Sequence, residues 1–233
     1  MKNKAIKPKN QVRGSAPLHF HIITLFPESI EGYFDASMLA RAQRDKKIKV
    51  SFYNPRDFTK DKHKRVDQKP YGGGPGMVLE AESILRAAAK AIGRKNLKDI
   101  EVIFFSPSGK QFEQKDAVRL AAKKKHIVFL CGHYEGIDAR VVKILTAKPV
   151  SIGPFVLTGG ELPAAVVADA VTRNIAGVLG NAESLEDTRV ASPEVYTRPE
   201  IVVWKKKKHK VPSVLISGHH AKIEEWKKAK RKK

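Results

Sequence analysis

A single cysteine, Cys131, stands among 233 residues, so a disulfide framework and a multi-cysteine zinc site are both excluded. No apolar run approaches the ~20 residues needed to cross a bilayer. The amino-terminal stretch MKNKAIKPKNQVRGSAP is basic but lacks the apolar segment of a secretory signal. These absences predict a protein of the reducing cytoplasm with no membrane partner. No G-x-x-x-x-G-K-S/T occurs, and no G-x-G-x-x-G follows a strand-like run, which excludes a P-loop triphosphatase and a standard dinucleotide site. H-E-x-x-H and clustered Cys/His spacings are also missing, and no metal site is expected.

Acidic residues are scarce as well. Asp and Glu number 24 against 45 Lys and Arg, giving a net charge of +21 and an isoelectric point near 10.0. The excess is concentrated at the ends, with +5 over residues 1–17 and +10 over 204–233. The body between them is an ordinary, mildly basic globular sequence. Two cationic arms point to a polyanion partner, with RNA, DNA and ribosomes all admissible.

What is present alternates between strand-like and helix-like patterns. Leu18–Phe26, Lys49–Tyr53, Ile100–Phe105, His126–Cys131 and Val150–Gly153 read as strands. Residues 28–44, Glu80–Arg94, Gln111–Lys125, 137–146 and Glu161–Ile175 read as helices, the last with Pro163 in its first turn, where proline is tolerated. This rhythm predicts an α/β fold, a mainly parallel sheet with helices on both faces. Residues 59–70 are almost all polar and read as a mobile loop continued by GGGPG at 72–76. The predicted organisation is a basic, disordered extension over 1–17, a ligand-binding α/β domain over 18–176, an aperiodic linker over 177–199, and a short basic C-terminal unit over 200–233.

Three glycine-bearing loops, SPSG at 106–109, GHYEG at 132–136 and GPFVLTGG at 153–160, each follow a predicted strand. Ligands of open parallel sheets bind beyond the carboxyl ends of the strands, so the three loops are expected to line one pocket. Glycines there let backbone groups approach a ligand closely. His19 and His21 lie two apart on one strand face and read as structural, Cys131 as packed, and His219-His220 as part of a turn. Asp169 and Arg173 sit four apart on a helix, where an ion pair is the simplest reading. Glu135 and Asp187 read on composition alone as solvated carboxylates.

HIITLFPESI, VDQKPYGGGPGM, FSPSGKQF, CGHYEGIDARV, SIGPFVLTGGELPA, GVLGN, YTRPE and VPSVLISGHHAKIEEW resemble, in order, the signature segments of the bacterial tRNA (guanine-N1)-methyltransferases, the TrmD family of the SPOUT class. The resemblance implies a deep trefoil knot in the cofactor region, an obligate homodimer, S-adenosylmethionine as methyl donor, and methylation of guanine N1 at tRNA position 37. It places cofactor contacts at Phe105, Ser106, Pro107, Gly132, Glu135, Ile152, Gly153, Pro154, Phe155, Val156, Leu157, Gly159 and Gly160. It makes Asp187 the general base, acting in a site formed with the other subunit, and Arg173 the group that stabilises O6. Asp67 and Tyr71 fall in the loop that faces the target base.

Pro154 and His133 depart from the residues often found there, Asp and Arg, and the C-terminal helical unit reads as truncated relative to the family. The same frame acting on another RNA, such as ribosomal RNA, and a non-catalytic RNA-binding protein are the competing readings. Retention of both Arg173 and Asp187 argues against the second, because binding phosphates requires neither.

Overall fold

The computed structural model describes residues 16–179 and 194–231, which fall into two compact units divided between Leu179 and Gly180. In the first unit, five strands form one sheet in the order β2-β1-β6-β5-β7, every neighbouring pair parallel. The strands are β1 (Leu18–Ile23), β2 (Ile48–Tyr53), β5 (Ile100–Gln111), β6 (His126–Leu130) and β7 (Lys148–Ser151). β1 and β6 hold the centre, and Phe20, Ile22, Ile127, Val128, Phe129 and Leu130 are all at 0% exposure, as strands covered on both faces require.

Two layers cover the sheet. On one face α2 (Ser37–Arg44), α4 (Gln114–Lys123) and α6 (Glu161–Thr172) pack with Phe20, Ile22 and Phe129. On the other α3 (Ala81–Ile92) and α5 (Ala139–Ile144) pack with Ile23, Val128 and Leu130. α3 is Ala-rich on its buried side, so Ala87, Ala88 and Ala91 bring its backbone close to the strands.

Three details differ from the sequence expectation. Residues 28–44 do not form one helix: a short α1 (Glu31–Phe34) precedes α2, and Ser37 adopts φ 50°, which interrupts the helical path. The polar loop folds back as a minimal antiparallel ribbon of β3 (Asp67–Gln68) and β4 (Val78–Leu79). β5 runs on past Phe105, with Phe105 and Lys110 both opposite Val150, so residues 106–109 bulge out of the ladder.

The second unit carries an antiparallel hairpin, β8 (Ile201–Trp204) and β9 (Lys207–Lys210), then α7 (Ser213–Ile216) and α8 (His220–Arg231). Lys205 and Lys206 form its two-residue turn with φ of 47° and 66°, the left-handed pair that matches strand twist. The expected disordered extension over 1–17 and the linker over 177–199 fall largely outside the described residues, which include only 16 and 17 of the first and 177–179 and 194–199 of the second.

Candidate active site

Parallel strands deliver all their carboxyl ends to one edge, and β6, β5 and β7 are neighbours there. The three glycine loops therefore meet, enclosing a cleft of about 190 Å³. Phe104, Phe105, Pro107, Phe155 and Leu157 give it apolar walls, while Gly132, Gly153, Gly159 and Gly160 leave backbone exposed within it. Every residue that the resemblance assigns to the cofactor lines this cleft except Pro154, which is exposed beside it. Gly160 shows why glycine is needed: its N–H donates to Gly132 O at 3.0 Å, and an added Cβ would lie 2.6 Å from the Cα of Cys131. Such backbone approach tolerates no side chain.

A buried carboxylate stands behind the cleft. Glu161, 5% exposed, accepts from Thr24 Oγ1 at 2.5 Å and lies 2.8 Å from His133 Nε2. His133 also meets Phe26 edge-on, so the ring that lines the cleft is fixed from two sides. Cys131 is buried next to this group, and burial followed by the Glu161 charge pushes its thiol well above the usual range, which suits packing rather than nucleophilic chemistry. The sequence pattern did not single out Glu161 or Thr24. An acid in the first turn of a helix is ordinary, and its partners lie 137 and 28 residues away.

Glu135 projects onto the rim against Gly76, where a Cβ would come within 2.6 Å of its Oε1. Backbone bonds from Glu135 N to Met77 O and from Leu79 N to Gly136 O hold the GGGPG segment beside the cleft loop. The loop bearing Asp67 and Tyr71 thus borders the cleft, with Tyr71 fully exposed and Asp67 half-buried in β3.

Arg173 lies elsewhere. It follows the last turn of α6, exposed, beside a groove of about 200 Å³ lined with Met38, Leu39, Thr172 and Val178. At about 1.5 Å per helical residue, roughly 20 Å of α6 separates it from Gly160 in the same chain. The expected Asp169–Arg173 ion pair does not form: Asp169 instead accepts from the Tyr33 hydroxyl, which competes for its carboxylate across the helix pair. Arg173 has no ion-pair partner among the described residues. Asp187 lies outside the described residues.

An open parallel α/β sheet with a glycine-lined cleft past its carboxyl ends is the arrangement of an enzyme built to hold a small organic ligand. Comparison with known proteins names the family: the model for "tRNA (Guanine-1)-methyltransferase TrmD" matches residues 18–233. Curated relatives named tRNA (guanine-N(1)-)-methyltransferase include one from Campylobacter jejuni, 46% identical over 210 residues covering 88% of each chain. A second, from Caldanaerobacter subterraneus subsp. tengcongensis, is 47% identical over 91% of this chain and 86% of its own. A third, from Dictyoglomus turgidum, is 45% identical over 91% of this chain and 84% of its own. The chain belongs to the TrmD family of tRNA (guanine-1)-methyltransferases. Among the described residues no helix is long and apolar enough to cross a membrane.

Proposed function

We propose that this chain transfers the methyl group of S-adenosylmethionine to N1 of guanosine at tRNA position 37, as a cytoplasmic homodimer whose cofactor region is threaded as a trefoil knot. The observation that carries this reading is the cleft. Its apolar walls and open backbone groups suit an adenosine-bearing ligand without phosphate, and its loops, SPSG, GHYEG and GPFVLTGG, carry neither of the glycine motifs that cradle phosphates. The residues fit such a group, held by Phe105, Ser106, Pro107, Gly132, Ile152, Gly153, Phe155, Val156, Leu157, Gly159 and Gly160. Bound there, S-adenosylmethionine supplies a methyl group on a positively charged sulfur, and Glu135 offers a carboxylate to that charge or to the guanine edge.

Guanine N1 carries a weakly acidic proton and becomes a good nucleophile as that proton leaves. Asp187 accepts the proton, a general-base role that typically contributes ~10²–10⁴-fold. Charge then moves onto O6, where the Arg173 guanidinium stabilises it. Because Arg173 stands far along α6 from the cleft of its own chain, the complete site is assembled from two copies. Leu162, Val166 and Arg173 form an exposed stripe on α6, with Leu162 58% and Val166 50% exposed, a face suited to the partner. Asp67 and Tyr71 meet the target base from the neighbouring loop.

Labelled cofactor incubated with purified tRNA, followed by base-resolved mapping, tests the reading. Methyl label at N1 of guanosine 37 is expected; label at another position of the tRNA, or none, rejects it. Asp187→Asn is expected to lower turnover at least about a hundredfold, and near-normal turnover would remove Asp187 from the mechanism.

A further inference from the structure

We propose that His19, His21 and His126 form a three-imidazole site for a borderline divalent transition-metal ion, with Zn²⁺ as the reference ion, at the amino-terminal end of the sheet. The sequence places His19 and His21 on one face of β1, and the fold adds His126, the first residue of β6, directly opposite His19. One ring nitrogen from each lies within 4.8 Å of the other two. His21 Nε2 and His126 Nδ1 are already 3.3 Å apart, close to the ~3.3 Å edge of a tetrahedron with zinc–nitrogen bonds of about 2.0–2.1 Å. Closing the widest pair to that edge takes a side-chain shift of about 1.5 Å.

The surroundings supply what ligating imidazoles need. A metal-bound histidine uses its second ring nitrogen to bond an oxygen, which fixes the ring and its tautomer. His21 Nδ1 lies 3.0 Å from Tyr53 Oη, and His19 Nε2 lies 2.9 Å from Ser51 Oγ. Both oxygens come from β2, which flanks β1 on the side away from β6. These bonds leave His19 Nδ1 over for an ion, while His21 Nε2 shares a hydrogen bond with His126 Nδ1 at 3.3 Å that an ion bound between the two rings would replace.

The donor set selects the class of ion. Three imidazoles suit zinc and its neighbours, whereas Mg²⁺ and Ca²⁺ require oxygens. Asp99, the carboxylate whose charge acts on His126, is bound to Lys125 at 2.8 Å. Lys49 and Lys95 place positive charge beside the triad and oppose a cation. Lys95 is held off by its bonds to Ala91 O and Ile92 O, at 2.8 and 3.0 Å. The expected affinity is therefore micromolar, weaker than that of four-ligand structural zinc sites. Six residues of chain separate His126 from Gly132, roughly 20 Å at ~3.3 Å per residue. The ion would thus tie β1 to β6 away from the cleft, independently of the methyl-transfer reading.

The test uses the full chain, free of any affinity tag, stripped with a chelator and titrated with Co²⁺ and Zn²⁺. One ion per chain is expected, with an X-ray absorption signature of three imidazoles. His126→Asn is expected to weaken loading at least about tenfold, while the double variant His219→Asn/His220→Asn retains it. Sub-stoichiometric loading, fewer than three imidazoles on the ion, or loading that survives His126→Asn overturns the proposal. Should His126→Asn fail to fold, the absorption spectrum of the unmodified chain decides alone.

Discussion

Glu161 shows how much one side chain carries in this molecule. Its two oxygens serve buried Thr24 on one side and His133, which lines the cleft, on the other. Removing the carboxylate strands both partners, and a buried polar group left unpaired costs about 1–3 kcal/mol. Glu161→Ala is expected to destabilise the chain by about 2 kcal/mol or more, a fall of roughly 4–8 °C in midpoint at this chain length. Glu161→Gln, which keeps an acceptor, should cost less. Equal midpoints for all three proteins would show that the pair contributes nothing. His19 and His21 give a second residue-scale expectation. Their folded pKa values, about 4 and about 3, lie below the ordinary 6.5. The unfolded chain therefore binds more protons in that interval, and stability is present above pH 6.5 and lost as pH falls toward 3. The groups facing the pair are Lys49 and Tyr53 on β2, Lys95 after α3, and His126 on β6. Urea midpoints at a series of pH values, with chelator present, should fall through this window. In a His19→Phe/His21→Phe double variant the fall should be shallower, and an unchanged slope would assign the acid sensitivity to other groups.

Among the elements, α6 joins the two halves of the proposed chemistry, since Gly160 and Pro163 meet the cleft at its start and Arg173 follows its end. Its outward stripe of Leu162 and Val166 is the expected seat of the second copy. Val166→Glu places a charge in that face and is expected to convert a dimer to monomer on size-exclusion chromatography, with methyl transfer lost in parallel. Retained dimer and activity would move the partner elsewhere. The elements also show where sequence was informative. β1, α3, β6 and α6 are long, apolar and buried, and their periodicity marked them within a few residues. The cleft loops were legible from glycine following strand. The β8–β9 hairpin was not, because Ile201 to Trp204 are all exposed and the lysines after them hide any alternation. The β3–β4 ribbon, two residues per strand, is too short to carry a period. His126 and Tyr33 escaped notice because tertiary pairing brings them to partners more than a hundred residues distant.

At the scale of the whole molecule, charge is divided unevenly between a mildly basic body and strongly basic ends. Base contacts carry specificity in nucleic-acid binding, whereas lysine contacts to phosphate carry salt-dependent affinity. Residues 227–233 contribute six Lys or Arg and no acid. One of them, Lys230, is already paired with Glu194 at 2.7 Å and lies over the Trp226 ring, so its full charge is not available to RNA. Deleting 227–233 is therefore expected to remove up to five phosphate contacts. Each lost contact flattens the dependence of log affinity on log salt by about 0.7–0.9, so the slope should fall by up to about 3.5–4.5 units with the methylated position unchanged. Affinity measured for the full and shortened chains across a salt series checks this. If the slope stays the same while affinity falls, the segment acts through the packing of α8. If both stay the same, the basic end is not part of the tRNA grip, and the remaining lysines, Lys205 to Lys208 at the hairpin tip foremost, become the place to seek it.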